Sequence, residues 1–276
     1  MKSSTTDLCG LAFDSQQKFT GGSTALGWEF QRMEAGQSCG VDKLTVRCGS
    51  KSIDILPTRG MGIWQAQDGD VRFGWDSPVT GPVHPMWVDV SEPSGLGWLD
   101  GFDEMLVRCG LSSNGAPEFD SNGQLIWPLH GRIANLPASQ LSVTINETDG
   151  KITVRGTVLE NRFHFHRLRL ETTISMQVQS PEISISDCVA NLSDRPDKIQ
   201  MLYHNNFGSP VLEKGSRFFA PVKSLSPAIH MLPRVWNTGI NTMLPPPTMQ
   251  SKSISWNSQR TPTKNHSRCS ATPISH

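Results

Sequence analysis

No aspartate or glutamate follows Glu213, although 63 residues remain (276 − 213). The first 213 residues hold all 25 acids, a density at which the remainder would carry about seven. Also missing is any apolar run near the roughly 20 residues that a membrane-spanning helix needs. The N-terminus, MKSSTTDLCGLAFDSQQ, has no apolar segment of the secretory kind. The six cysteines (Cys9, Cys39, Cys48, Cys109, Cys188, Cys269) contain no C-x-x-C pair, and in a chain without a leader they read as reduced, mostly buried thiols. A soluble cytoplasmic protein with no membrane partner is therefore expected. Residues 1–225 carry 20 basic against 25 acidic side chains, and residues 226–276 carry five basic and none acidic. Five cations spread over 51 residues are too sparse to track phosphates, so no nucleic-acid partner is expected.

What the chain does have is punctuation. Its 24 glycines and 19 prolines separate short β-type runs at 43–48, 52–56, 62–66, 141–146, 151–159, 163–178, 182–190 and 199–204. Alternation is clear at Ile152, Val154 and Val158, and again at Ile183, Ile185 and Val189. The sequence Thr148-Asp149-Gly150 predicts a hairpin turn between two of these runs. One short helix is expected near Leu99–Val107. The reading is an all-β chain, one large sandwich over residues 1–227, whose first 20 or so residues are peripheral.

Residues 71–138 have little periodicity but carry Trp75, Trp87, Trp98 and Trp127. Four tryptophans argue against disorder, and long irregular connections are commonly functional. Aromatic rings amid polar loops suit a sugar cleft, because a pyranose has an apolar face; the alternative is that they are core aromatics. His130 sits in an irregular turn, WPLHGRIAN (127–135), and His204 ends an apolar run, MLYHNNFG (201–208). Imidazole titrates near neutrality, so each is an acid–base candidate or else a hydrogen-bonded structural histidine. His164 and His166 form an H-x-H on an expected strand, which would put both rings on one face. That spacing suits a metal or a half-buried structural pair, and the apolar residues continuing that face favour the second. Arg59, just before Gly60, reads either as a ligand contact or as the partner of an acid.

Several segments taken together resemble one family: LPTRGMGI (56–63), GWDSPVTGPVHP (74–85), GLGWLDGFDEMLVRCGL (95–111), NGAPEFD (114–120), LHGRIANLPA (129–138) and LYHNNFGSPVLEKGSRFFAPV (202–222). They resemble a branch of the aldose 1-epimerase (galactose mutarotase) superfamily. The resemblance implies a β-supersandwich, incomplete at its C-terminus here, with a sugar or sugar derivative as the partner and no cofactor. It also implies a mechanism in which a histidine protonates the sugar ring oxygen while a glutamate deprotonates the anomeric hydroxyl. By position, His204 resembles the acid and His130 the second histidine on the ring oxygen. Arg59, Arg132, Asn206 and Trp98 fall among the expected substrate contacts. The family's glutamate belongs to a strand later than this chain reaches, and a substrate-binding acid should fall near Gln250-Ser251-Lys252. Two alternatives stand beside the enzyme: a non-catalytic sugar-binding module, and a metalloenzyme built on His164 and His166.

From Pro227 the text changes, with seven prolines and no sustained apolar period. Reading each codon from its present third base permits E-H-W-N-Q over 236–240 and E-Q-V-Y-F-L-E over 250–256, a text with acids, aromatics and strand alternation. The expectation is a frameshift near Ser226–Ala228, leaving 228–276 as an aberrant, unstructured tail.

Overall fold

The computed structural model describes residues 3–9, 11, 18–217 and 254–256. Strand β1 (Ser3–Asp7) is followed by β2 (Lys18–Gly22), β3 (Leu26–Arg32), β4 (Asp42–Cys48), β5 (Lys51–Leu56), β6 (Gly62–Asp68), β7 (Val71–Phe73) and β8 (Leu106–Leu111). After the small ribbon β9 (Glu118–Phe119) and β10 (Leu125–Trp127) come β11 (Ala138–Asn146), β12 (Lys151–Arg162), β13 (His166–Gln177) and β14 (Ile183–Asn191), then β15 (Gln200–Asn205) and β16 (Ile254–Trp256). Two sheets result. The larger runs β16-β15-β8-β6-β5-β4-β3-β2 with β7 on β6, and the smaller runs β1-β11-β12-β13-β14.

The small sheet follows from period-2 patterning. Along β12, Ile152, Val154, Gly156, Val158 and Glu160 are buried while the residues alternating with them are half-buried or exposed. A strand with one face in a core must alternate in this way. That face meets Leu44, Val46, Ile53, Ile55 and Ile63 of the large sheet in one continuous hydrophobic core. Gly156 interrupts the apolar series for a packing reason, since a Cβ there would lie 2.5 Å from Met61 Sδ. The sheets are also tied by charge. Arg108 on β8 pairs with Asp187 on β14 at 2.6 Å and donates to Thr172 Oγ1 and Met61 O, while Tyr203 donates to Asp187. Burial alone would lift the Asp187 carboxyl, but the charge and hydrogen bonds of Arg108 hold it below the usual carboxylate range.

Three expectations are corrected. The segment near Leu99–Val107 divides into a 3₁₀ turn, Gly97–Gly101, and strand β8. The strand expected over 163–178 begins only at His166. His164 lies in the preceding turn with φ 65° and is exposed, so the two rings do not share a strand face. His166 is buried, 3.8 Å from Glu160. Among the cysteines, Cys188 is disulfide-bonded rather than reduced; Cys48 and Cys109 are free and buried, Cys9 and Cys39 free and exposed, and Cys269 lies outside the described residues. Of the expected tail, Ile254–Trp256 pairs antiparallel with Met201–Tyr203, and the rest lies outside the described residues. No helix among the described residues is long and apolar enough to cross a membrane.

Candidate functional site

Strands β8 and β15 each present two faces. Leu106, Arg108 and Leu111 point into the sandwich, so Val107 and Cys109 point outward, as do their ladder partners His204 and Leu202. This outer face is covered by the loops that lacked periodicity. Trp98, Phe102 and Ala134 complete a second apolar cluster on it, with Trp75 and Leu129 at its margin.

His204 and His130 meet here. Their ring centroids are 5.8 Å apart and nearly perpendicular. Trp98 packs edge-on to His130 at 4.8 Å, and Phe102 packs edge-on to His204 at 4.7 Å. His204 is buried rather than facing the cleft openly, and its Nδ1 has no hydrogen-bond partner among the described residues; Trp98 Nε1 is in the same condition. His130 is half-buried and has φ 56°, followed by Gly131 at φ 72°. A histidine in the left-handed region is uncommon and is held by its surroundings. Gly131 is required, because a Cβ would lie 2.3 Å from Gly110 O and 2.4 Å from Ser113 O.

Both rings are driven toward neutrality. Burial, assisted by His204, lowers His130 to about 4. Burial lowers His204 as well, against a hydrogen bond with Asn206 that favours its charged form. The Asn206 Nδ2 donates to Glu104 O at 2.9 Å. His130 Nδ1 lies 3.4 Å from Asn114 Oδ1; an amide oxygen only accepts, so Nδ1 carries the proton and Nε2 the lone pair. A neutral imidazole pair with one open acceptor nitrogen suits proton exchange with a hydroxylic ligand.

Of the residues read from sequence, the structure brings His130, His204, Trp98 and Asn206 together. Arg59 is placed differently. It is buried, pairs with Glu104 at 2.6 Å, and donates to Val83 O, Asn135 Oδ1 and Gly101 O. Its guanidinium thus braces the Trp98 helix from beneath and is committed to protein acceptors. Arg132 follows the His130 turn, where its N–H donates to Gly110 O, and it is half-exposed. Sequence reasoning missed Phe102, Asn114 and the pair Asp103–Glu104. The last was visible as two adjacent acids inside an apolar run, a pattern that signals buried charge. No group of three or more His, Cys, Asp or Glu among the described residues could hold a metal ion. A separate open depression of about 420 Å³, lined by Arg32, Asp42, Thr58, His84 and Pro137 among others, contains neither candidate histidine. We place the candidate site at the histidine pair, because proton chemistry needs titratable groups in mutual reach and not merely volume.

The sequence matches a family described as a domain of unknown function (DUF4432) over residues 38–268. The chain belongs to this family. A solved structure named a putative aldose 1-epimerase, from Klebsiella pneumoniae subsp. pneumoniae MGH 78578, is similar to the DUF4432 chain with a TM-score of 0.72 and 33% identity. That match covers 80% of this chain and 60% of the Klebsiella chain. A galactose mutarotase-like protein from Clostridium acetobutylicum matches at 13% identity with a TM-score of 0.49, over 70% of this chain and 57% of that one. The chain thus spans less than two thirds of either solved relative. No curated protein matches it. The Klebsiella likeness establishes the fold of the DUF4432 chain as an aldose 1-epimerase-like β-sandwich.

Proposed function

We propose that this chain binds a sugar or sugar derivative over the His130–His204 pair, and that the reaction of its complete site is interconversion of sugar anomers by ring opening and reclosure. The observation that carries this reading is the perpendicular imidazole pair, 5.8 Å apart against Trp98 and Phe102. Aromatic faces accept the C–H face of a pyranose, and paired proton-exchanging groups are what ring opening needs. In this reading His204 serves the ring oxygen as acid, while the lone pair of His130 Nε2 accepts from a sugar hydroxyl. Asn206 tunes His204, Arg132 and Trp98 line the bound sugar, and Arg59 supports from below.

A binding module without turnover is the second reading. One observation favours it: no Asp or Glu follows Glu213, the part of the chain in which the resemblance puts a substrate-binding acid. On the proposed frameshift the family's glutamate would be lost with the replaced tail. The family match to residue 268 and the pairing of Ile254–Trp256 weigh on the other side.

The test is anomer-exchange NMR on a panel of aldoses, with tryptophan fluorescence for binding, on the wild-type chain and on His204→Gln. Binding that weakens at least about tenfold in the variant, with the fold intact, supports the site. Binding with no exchange selects the module, and no binding of any sugar refutes the reading.

A further inference from the structure

Glu160 lies on β12 in the small sheet, yet its carboxylate serves the large one. It is 2% exposed. Oε2 accepts from Leu111 N at 2.9 Å, and Oε1 accepts from Ser112 N at 3.2 Å and from the Ser112 hydroxyl. The other titratable group facing it is His166, whose Nε2 is 3.8 Å from Oε1. Three donors from two consecutive residues thus converge on one buried carboxylate.

Those two residues lie between the straps that hold His130. On one side Gly110 N donates to His130 O at 3.0 Å, and Gly110 O accepts from Arg132 N at 2.9 Å. On the other side Gly115 O accepts from His130 N at 2.9 Å, and Asn114 Oδ1 faces His130 Nδ1. The His130 turn is therefore fastened to residues 110–115 at both ends, and Glu160 clamps the middle of that segment from behind. Charge-assisted hydrogen bonds to a buried carboxylate are about twice as strong as neutral ones, so the clamp is stiffer than the straps.

We propose that Glu160 is a positioning residue for His130: it fixes the segment that sets the backbone twist, tautomer and depth of that ring. The inference rests on the reading of His130 as a functional group. Its test uses ligand-free protein, so that the two can fail separately. Long-range proton–nitrogen NMR of the histidine rings reads both the tautomer and the titration of His130. In the wild type the Nδ1–H form should dominate, with a midpoint near 4.

Glu160→Gln keeps the size but turns one acceptor oxygen into a donor facing an N–H. His130 should then show mixed tautomers, and its midpoint should rise by about one unit or more toward the ordinary histidine value of about 6.5. Ser112→Ala removes one donor and should shift the midpoint the same way by less; it decides the matter if the glutamine variant does not fold. The exposed control Glu171→Gln should leave His130 unchanged. A folded Glu160→Gln, or failing that Ser112→Ala, whose His130 tautomer and midpoint stay within about 0.2 unit of wild type would reduce Glu160 to a fold stabiliser and overturn the proposal. Altered His130 titration without sugar binding would refute the proposed function and leave this inference standing.

Discussion

Asp103→Asn should make the protein less sensitive to rising pH, by an amount that follows from the environment of the carboxylate. Asp103 follows Phe102 in the wall of the site and is 5% exposed. Neither carboxylate oxygen has a hydrogen-bond partner among the described residues, and one lies within 1.4 Å of where a Cβ on Gly81 would stand. The charges that face it are Glu104 and Arg59, already paired with each other. Burial raises the Asp103 carboxyl from 3.8 to about 8, with Glu104 adding to the rise and Arg59 opposing it. An unfolded aspartate ionises near 4. Between those values the folded state holds a proton that the unfolded state has released, so stability falls as pH rises. The slope is about 1.4 kcal/mol per pH unit, or roughly 3 kcal/mol between pH 5 and pH 7. Asparagine has no proton to lose, so the variant should gain on the wild type by that amount over the same interval. Urea unfolding followed by tryptophan emission at pH 5, 6 and 7 measures it, provided the m-values agree. Parallel stability curves for the two proteins would refute the reasoning and mean that Asp103 ionises normally in the fold.

Asp187→Asn strips the buried Arg108 of its counter-charge and should cost about 3–5 kcal/mol at pH 7, read as a lower urea midpoint at unchanged m. Because the folded-state Asp187 is held below its unfolded value, its contribution is present above about pH 4 and fades as pH falls through the folded value. The gap between wild type and variant should therefore narrow on acidification; a gap constant to pH 3 contradicts the pairing. Resequencing the gene across codons 220–276 and beyond the stop is expected to show one base lost or gained, with acids restored in the corrected text. Confirmation of the present frame would overturn the frameshift proposal and leave Ile254–Trp256 as a native edge strand.

Strands with one face in water were legible. The period-2 runs of β11 and β12, with their Asp-Gly turn, matched the observed register, in which Asn146 pairs with Lys151, because burial of a single face forces alternation. Strand β8 was not legible. All six of its residues are buried, so it has no polar face to mark the period, and a short apolar run reads equally as helix or strand. The reading of His164 and His166 as strand neighbours failed for a related reason. The apolar face was followed backward past the point where the chain turns, and nothing in Phe163-His164-Phe165 announces a positive φ.

The site divides along the same line. His130 and His204 were visible because each breaks its local pattern, one before Gly131 in an irregular turn, the other at the end of an apolar strand. Their meeting was not visible, because 74 positions separate them (204 − 130) and only the β8–β15 ladder with its covering loops brings them together. Arg59 shows the limit most plainly. Arginine before glycine fits a ligand contact or an ion pair equally well, and the choice depended on Glu104, Val83, Gly101 and Asn135, scattered through the following 76 positions. The same holds for Glu160. Two of its three donors are backbone N–H groups, at Leu111 and Ser112, and any residue except proline supplies an N–H. A carboxylate whose partners are main chain leaves no mark on the identity of those partners, so a clamp of this kind can be found only in three dimensions.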